Sequence, residues 1–208
     1  MKNLIVLDNP LVKRDVTILR DKNTSSKDFR AALDRVSYAL VIEIAKSFEL
    51  IEHEVETPLE VTKGFKFKRQ IVLVPVLRAG LSMVSSFLEM IPDAKVGHIG
   101  LQRDEKTLQP IDYYYKTPSK LGESLTILLD PMLATGGSAV ASFNFLKEKG
   151  ANNCILACLI SAPEGINKMF VEHPLVPIYT AAYDRQLNNN GYILPGLGDA
   201  GDRTFGTY

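Results

Sequence analysis

Apolar residues return every three to four positions from Phe29 through Leu33, Val36, Leu40, Ile44 and Phe48. That is the rhythm of a helix with one buried stripe. Ser25 followed by Asp28 supplies a capping-box start, so the helix is predicted to begin near Ser25, after an N-terminal arm. Thr57 to Val61 is read as a short strand. From residue 70 the pattern changes. Gln70 to Val76 is a continuous apolar run, as in a strand buried on both faces. Leu81 to Met90 reads as a helix stopped near Pro92, Lys95 to Gln102 as a second strand, and Ser124 to Leu129 as a third. Gly137 to Lys149 is predicted helical, with Gly150 as its C-cap. Asn153 to Ser161 is a fourth strand, Glu164 to Phe170 a short helix, and Val176 to Tyr183 a fifth strand.

Strands alternating with helices predict an α/β fold around a largely parallel sheet flanked by helices. Ligands of such sheets bind beyond the carboxyl ends of the strands. The loops after Val76, Gln102, Leu129 and Tyr183 therefore command attention. Residues 103–122 form a long polar stretch centred on Tyr113, Tyr114 and Tyr115. A loop of that length is usually functional, and it is read as a hood over a site, compatible with a β-hairpin.

The 208 residues, with no repeat or low-complexity linker, are read as one domain. Its parts are an arm and helix over about 1–50, a core over about 70–185, and a C-terminal segment over about 188–208. Lys plus Arg equals Asp plus Glu. This balance speaks against a dedicated nucleic-acid binder or a polybasic membrane binder. The run Ile71–Val74 is too short to span a bilayer, and the N-terminus reads as no signal peptide. Cys154 and Cys158, four apart in an apolar strand, are expected to be small core residues of one face rather than metal ligands. These features predict a cytoplasmic protein.

The most informative stretch is Leu125 to Ser138. An apolar strand ends in Asp130, a short turn Pro131-Met132-Leu133-Ala134 follows, and Thr135-Gly136-Gly137-Ser138 opens a helix. Two glycines let successive N–H groups converge on one anion, and the helix start adds free N–H groups. A phosphate is the expected guest. Asp130 would repel it, but can accept from sugar hydroxyls or help hold magnesium. The pair thus points to a ribose phosphate. No Gly-x-x-x-x-Gly-Lys-Ser/Thr occurs, which excludes a P-loop NTPase. Gly196-Leu197-Gly198-Asp199-Ala200-Gly201 matches Gly-x-Gly-x-x-Gly, yet only seven residues follow it, too few for a dinucleotide-binding βαβ unit.

Arg78 closes the first sheet strand and Arg103 the second, so both cations reach the ligand edge. Each alone would suit a solvated surface. Together they read as a diphosphate clamp. At the C-terminus, Tyr192, Ile193, Leu194 and Leu197 stand among many glycines, unlike a frayed tail. His53, His98 and His173 are scattered, and no Ser-His-Asp arrangement or Gly-x-Ser-x-Gly elbow is present, so no covalent intermediate is expected.

Asp130 to Ser138 resembles the site for 5-phosphoribosyl 1-diphosphate (PRPP) in type I phosphoribosyltransferases. Pro131 in place of a second acid is similar to the uracil branch, and Ala134 stands where hypoxanthine-guanine enzymes usually carry Asp. Val74-Pro75-Val76-Leu77-Arg78-Ala79-Gly80-Leu81 and Gly191-Tyr192-Ile193-Leu194-Pro195-Gly196-Leu197-Gly198-Asp199-Ala200-Gly201-Asp202 resemble two further segments of uracil phosphoribosyltransferases. Thr17 to Thr24, Glu54 to Pro58, and Ala162 to Gly165 extend the likeness over nearly the whole chain. Ser82, and Ser85-Ser86 where relatives often carry Asp-Gly, depart from it, and an effect on packing of the following helix is expected.

The resemblance implies a type I phosphoribosyltransferase fold with a hood or flexible loop and an N-terminal helical arm, and a cis Leu77–Arg78 bond. It implies conversion of uracil and PRPP to UMP and diphosphate in pyrimidine salvage. Arg78, Arg103, Asp130 and Asp199 are implied as catalytic. PRPP is implied on those residues and on Pro131, Met132, Leu133, Ala134, Thr135, Gly136, Gly137 and Ser138. Uracil falls to Ile193, Gly198, Asp199 and Ala200. Magnesium is implied to arrive mainly through PRPP, with no metal site of the chain's own. A homo-oligomer, dimer or tetramer, is expected, and a GTP activator stays open. The alternative is an RNA-binding pyrimidine regulator on the same fold, which calls for a basic face.

Overall fold

A computed structural model describes residues 3–103 and 110–207, without the side chains of 101–103 and 110–113. In chain order the elements are β1 (Leu4–Val6), α1 (Pro10–Arg20), α2 (Ser26–Ala45), β2 (Leu50–Glu56), β3 (Val61–Phe67), β4 (Ile71–Leu77) and α3 (Leu81–Met90). Then come β5 (Lys95–Val96), β6 (His98–Arg103), β7 (Pro110–Lys116), β8 (Leu125–Leu129), β9 (Met132–Leu133) and α4 (Gly137–Glu148). The chain ends with β10 (Asn153–Ser161), α5 (Pro163–Glu172), β11 (Ile178–Tyr183), β12 (Gln186–Leu187), β13 (Ile193–Leu194) and α6 (Ala200–Phe205).

The main sheet runs β1-β11-β10-β8-β4-β6-β7, parallel except for the β6–β7 pair. Alternate residues of each central strand serve opposite faces. Leu73, Ile127, Leu129 and Ile155 pack with α1, α2 and α3, whereas Val72, Val74, Leu128 and Leu156 pack with α4 and α5. Both faces are covered, which explains why β4 reads as an unbroken apolar run. Parallel alignment also brings Arg78, Asp130 and Asp184, each one residue past its strand, to the same edge.

The helix predicted from Ser25 is α2. Ser25 Oγ accepts from Asp28 N at 3.1 Å and donates to the Asp28 carboxylate at 2.7 Å. Within the N-terminal arm, α1 starts at Pro10, with the Asn9 side chain accepting from Leu11 N at 2.9 Å. Two expectations need correction. Thr57 to Val61 is no strand: residues 57–60 are the turn of the exposed β2–β3 hairpin. Pro58 has no N–H for a ladder, and Thr57 Oγ1 accepts from Leu59 N and Glu60 N at 3.2 and 3.1 Å. The predicted second strand is split at Gly97, whose N–H turns to Leu73 O at 2.8 Å. The 103–122 stretch contains a strand, β7, paired antiparallel with β6; residues 104–109 of that stretch lie outside the described ones.

Ser86 explains one departure from the familiar motif. It is buried in α3 and donates to Asp34 of α2 at 2.9 Å. Cys158 is buried and Cys154 partly so, and both join the cluster beneath α4. Burial pushes their thiols up to about 12 and about 11, respectively, far from thiolate chemistry at neutral pH. Among the described residues no helix is long and apolar enough to cross a membrane.

Candidate active site

Asp130 follows β8, and its carboxylate draws on Met132 N at 3.4 Å. It is partly exposed at the mouth of a cavity, yet close protein walls desolvate it. That desolvation pushes its pKa from 3.8 to about 6, opposed by the Met132 hydrogen bond. The chain then passes through β9 to Gly136, whose φ of 77° suits glycine, and enters α4 at Gly137. Thr135, Gly137 and Ser138 are half-buried around this turn. The loop cannot recede, because α5 lies against it: a β-carbon on Gly136 would sit 3.0 Å from Gly165 O.

Leu77–Arg78 is cis, as the resemblance implied. The Arg78 guanidinium is exposed and meets Asp202 of α6 at 3.3 Å. Gly80 is tightly enclosed by the backbone of Val76 and Leu129, so the Arg78 turn rests directly on the strand that delivers Asp130. Arg103 ends β6; its side chain lies outside the described residues.

The C-terminal segment is ordered by its own hydrogen bonds. Asn188 Oδ1 accepts from Asn190 N and Tyr192 N, both at 2.9 Å, and β12 pairs with β13. Asp199 caps α6 by accepting from Asp202 N at 2.9 Å. Ile193 and Ala200 are buried, Gly198 and Asp199 exposed. This segment packs against both of the other loops. A β-carbon on Gly191 would lie 3.6 Å from Thr135 Cγ2, and one on Gly201 3.7 Å from Ala79 Cβ.

Between them is a cavity of about 320 Å³. Asp130, Met132 and Ala134 form one wall, while Ile193, Gly198, Asp199 and Ala200 form the other, with Ala79 beside them. The structure thus brings together Asp130, the 134–138 turn, the Arg78 loop and the four C-terminal residues singled out from the sequence.

The profile of a family described as uracil phosphoribosyltransferase matches residues 6–207. The chain belongs to this family. As a uracil phosphoribosyltransferase family member it is 51% identical over 208 residues to the uracil phosphoribosyltransferase of Bacillus cytotoxicus, with both chains covered completely. It is 48% identical to that of Salinibacter ruber, covering 100% of this chain and 99% of the relative. Among solved structures, the AQ2163 protein from Aquifex aeolicus superimposes with a TM-score of 0.92 at 36% identity over 98% of each chain. Adenine phosphoribosyltransferase from Trypanosoma brucei shares the fold, with a TM-score of 0.61 at 12% identity, covering 88% of this chain and 84% of that one.

One residue beside the candidate site was missed from the sequence. Lys168 of α5 overhangs the 135–138 turn: its Nζ lies 4.0 Å from a β-carbon built on Gly137. Nothing local marks it, because it stands thirty residues beyond the turn and reads as one more charge on a short helix. Only the packing of α5 on α4 brings it there.

Proposed function

We propose that this protein joins N1 of uracil to C1′ of PRPP, releasing diphosphate and forming UMP. The observation that carries this reading is the cavity with Asp130, Met132 and Ala134, where the phosphate turn begins, on one wall and Gly198 to Ala200 on the other. The 5′-phosphate rests on the N–H groups of residues 134–138, and the Asp130 carboxylate accepts from ribose hydroxyls. Arg78 turns from Asp202 to the diphosphate, joined by Arg103 from the hood hairpin. As the C1′–O bond breaks, its electron pair leaves on diphosphate, where the two guanidinium groups oppose the growing charge. Uracil N1 supplies the pair for the new bond and loses its proton. That nitrogen is comparatively acidic, which accords with the absence of a carboxylate at Ala134.

Main-chain donors and acceptors along Ile193 and Gly198 to Ala200 match the carbonyl, N–H, carbonyl edge of uracil. Cytosine would leave a protein donor facing a donor, a mismatch that can cost discrimination of about 10⁴. Among the described residues no cluster of three or more His, Cys, Asp or Glu could cage a metal. One carboxylate beside a diphosphate site suits magnesium that arrives with its substrate, with Asp130 as the nearest protein ligand. Bound there, magnesium would supply Lewis-acid neutralisation of the leaving group. A homo-oligomer belongs to the same reading, supported by Leu59, Val61 and Phe65 left exposed on the β2–β3 hairpin. The full-length relatives carry an enzyme's name, and no observation favours the RNA-binding alternative.

Mixing the protein with PRPP, magnesium and uracil should release diphosphate and yield UMP, while cytosine or guanine in place of uracil should not. Diphosphate release that is indifferent to uracil would refute the assignment. Lys168→Ala should raise the KM for PRPP by about three- to tenfold, the worth of one exposed charge-assisted contact. It should leave kcat nearly unchanged, and Lys168→Arg should recover most of the loss. Equal PRPP kinetics in wild type and Lys168→Ala would remove Lys168 from the phosphate site.

A further inference from the structure

Behind the base-reading wall lies a network of charged side chains that the reaction as described does not use. Asp184 follows β11 and is 5% exposed. Its Oδ2 accepts from Gly196 N at 2.9 Å and from Arg20 at 2.8 Å, while Oδ1 accepts from the second Arg20 nitrogen at 2.5 Å. Arg20 also donates to Gly196 O at 2.8 Å. Both polar atoms of the Gly196 residue are therefore held by one ion pair. Gly196 has a φ of 65°, and a β-carbon there would collide with Ile193 O.

A second guanidinium grips the next residue. Arg203, 8% exposed, donates to Leu197 O at 2.9 Å, to Leu19 O, and to Asp21 O at 2.5 Å. Its flat face lies over the Phe29 ring, 4.5 Å from the centroid. Arg185 N takes Leu194 O at 3.2 Å. The carbonyls of Leu194, Gly196 and Leu197 are thus all engaged by groups of the chain.

We propose that Arg20, Asp184 and Arg203 are positioning residues for the base: they fix the main chain of Gly196 and Leu197, and so set the aim of Ile193 and Gly198 to Ala200 on either side. This rests on the reading of that segment as the uracil site. The reason for charge here is geometric. A glycine-rich segment has little side-chain packing to hold it, and glycine loses the most backbone freedom on ordering. A bidentate Arg–carboxylate pair fixes direction as well as distance. The clamp also gives α1 a task, since Leu19, Arg20 and Asp21 at its end tie the N-terminal arm to a segment more than 170 residues away in sequence. A small displacement of a binding group can cost about 10²-fold in rate, so a clamp that sets direction matters beyond stability.

Arg20→Ala and Asp184→Asn should raise the KM for uracil by about tenfold or more, equivalent to about 1.4 kcal/mol, with the KM for PRPP kept within about twofold. The preference for uracil over cytosine should fall as well. PRPP binding measured by calorimetry without uracil should match the wild type, which shows the phosphate wall intact. If Arg20→Ala does not fold, Arg20→Lys carries the test: a lysine restores charge but cannot span both carboxylate oxygens and Gly196 O, and the uracil KM must still rise. An unchanged uracil KM in a folded variant overturns the proposal. So does an equal rise in both KM values, the mark of a general structural defect. Wild-type protein that binds PRPP but never consumes uracil would instead overturn the functional reading beneath it.

Discussion

Asp130→Asn should abolish most turnover and, at the same time, make the free protein more stable above neutral pH. The two effects share one cause. Asp130 is desolvated at the cavity wall and receives only one long hydrogen bond, from Met132 N at 3.4 Å, so its pKa rises from 3.8 to about 6. A group whose folded pKa is raised binds more protons folded than unfolded. Its favourable contribution is fully present below about pH 4 and is lost as pH rises through about 6. At pH 8 the free protein holds a carboxylate in poor surroundings, at a cost of about 1–3 kcal/mol.

Asparagine removes that charge while keeping the shape. Its melting temperature at pH 8 should exceed that of the wild type by roughly 2–10 °C, and the gain should shrink as pH falls through about 6 and be gone only below about pH 4, where Asp130 is protonated in both states. The kinetic loss runs the other way. A carboxylate that accepts from ribose hydroxyls contributes about 1.5–3 kcal/mol per charge-assisted bond, so kcat/KM for PRPP should fall by about 10²–10³-fold. The wild type should itself lose kcat/KM for PRPP as pH drops below about 6, following free-enzyme Asp130. Calorimetric scans at pH 5 and pH 8, with initial rates across the same range, test both signs. A variant less stable than wild type at pH 8 would show that Asp130 is well solvated, and the account of its poise would be wrong.

Local patterns carried most of the fold. The apolar run at β4, the stripe of α2 and the turn before α4 each follow from a rule acting over a few residues, and the strands they predict lie in one parallel sheet. The candidate site was legible only in part for the same reason: Asp130 and the 135–138 turn stand out as a strand-end acid and a glycine-rich helix start, whereas Gly198 to Ala200 was singled out by resemblance. What escaped was long-range. The β2–β3 hairpin went unread because every residue of its two strands but Gly64 is exposed, so burial leaves no strong pattern on them. The split at Gly97 depends on Leu73 and on the Thr117 side chain pressing from another segment. Lys168, Arg20 and Arg203 look like surface charges in sequence, and they gain their tasks only when α5, α1 and α6 pack where they do.

Gly165→Ala should damage PRPP binding without replacing any residue that meets the substrate. Gly165 lies in the first turn of α5, and no left-handed conformation argues for glycine there. The reason is space. A β-carbon would stand 2.5 Å from Ala134 O and 2.9 Å from Leu133 O. Those are main-chain atoms, which cannot rotate out of the way as a side chain could. Either α5 withdraws or the Ala134–Thr135 peptide tilts, and that peptide leads into the turn proposed to cradle the 5′-phosphate. Overpacking of this kind costs about 1–3 kcal/mol in stability. A displaced cradle should lower kcat/KM for PRPP by about 10²-fold.

Gly150→Ala supplies the contrast. It has a φ of 88° and nothing within 4 Å of the added carbon, so it meets backbone strain of about 1–2 kcal/mol at the far end of α4. Its melting temperature should fall by a similar amount to that of Gly165→Ala, while its PRPP kinetics stay those of the wild type. The pair therefore separates loss of stability from loss of the cradle. Wild-type PRPP kinetics in a folded Gly165→Ala protein would mean that the turn at Thr135 does not depend on α5, and the phosphate would have to be held elsewhere.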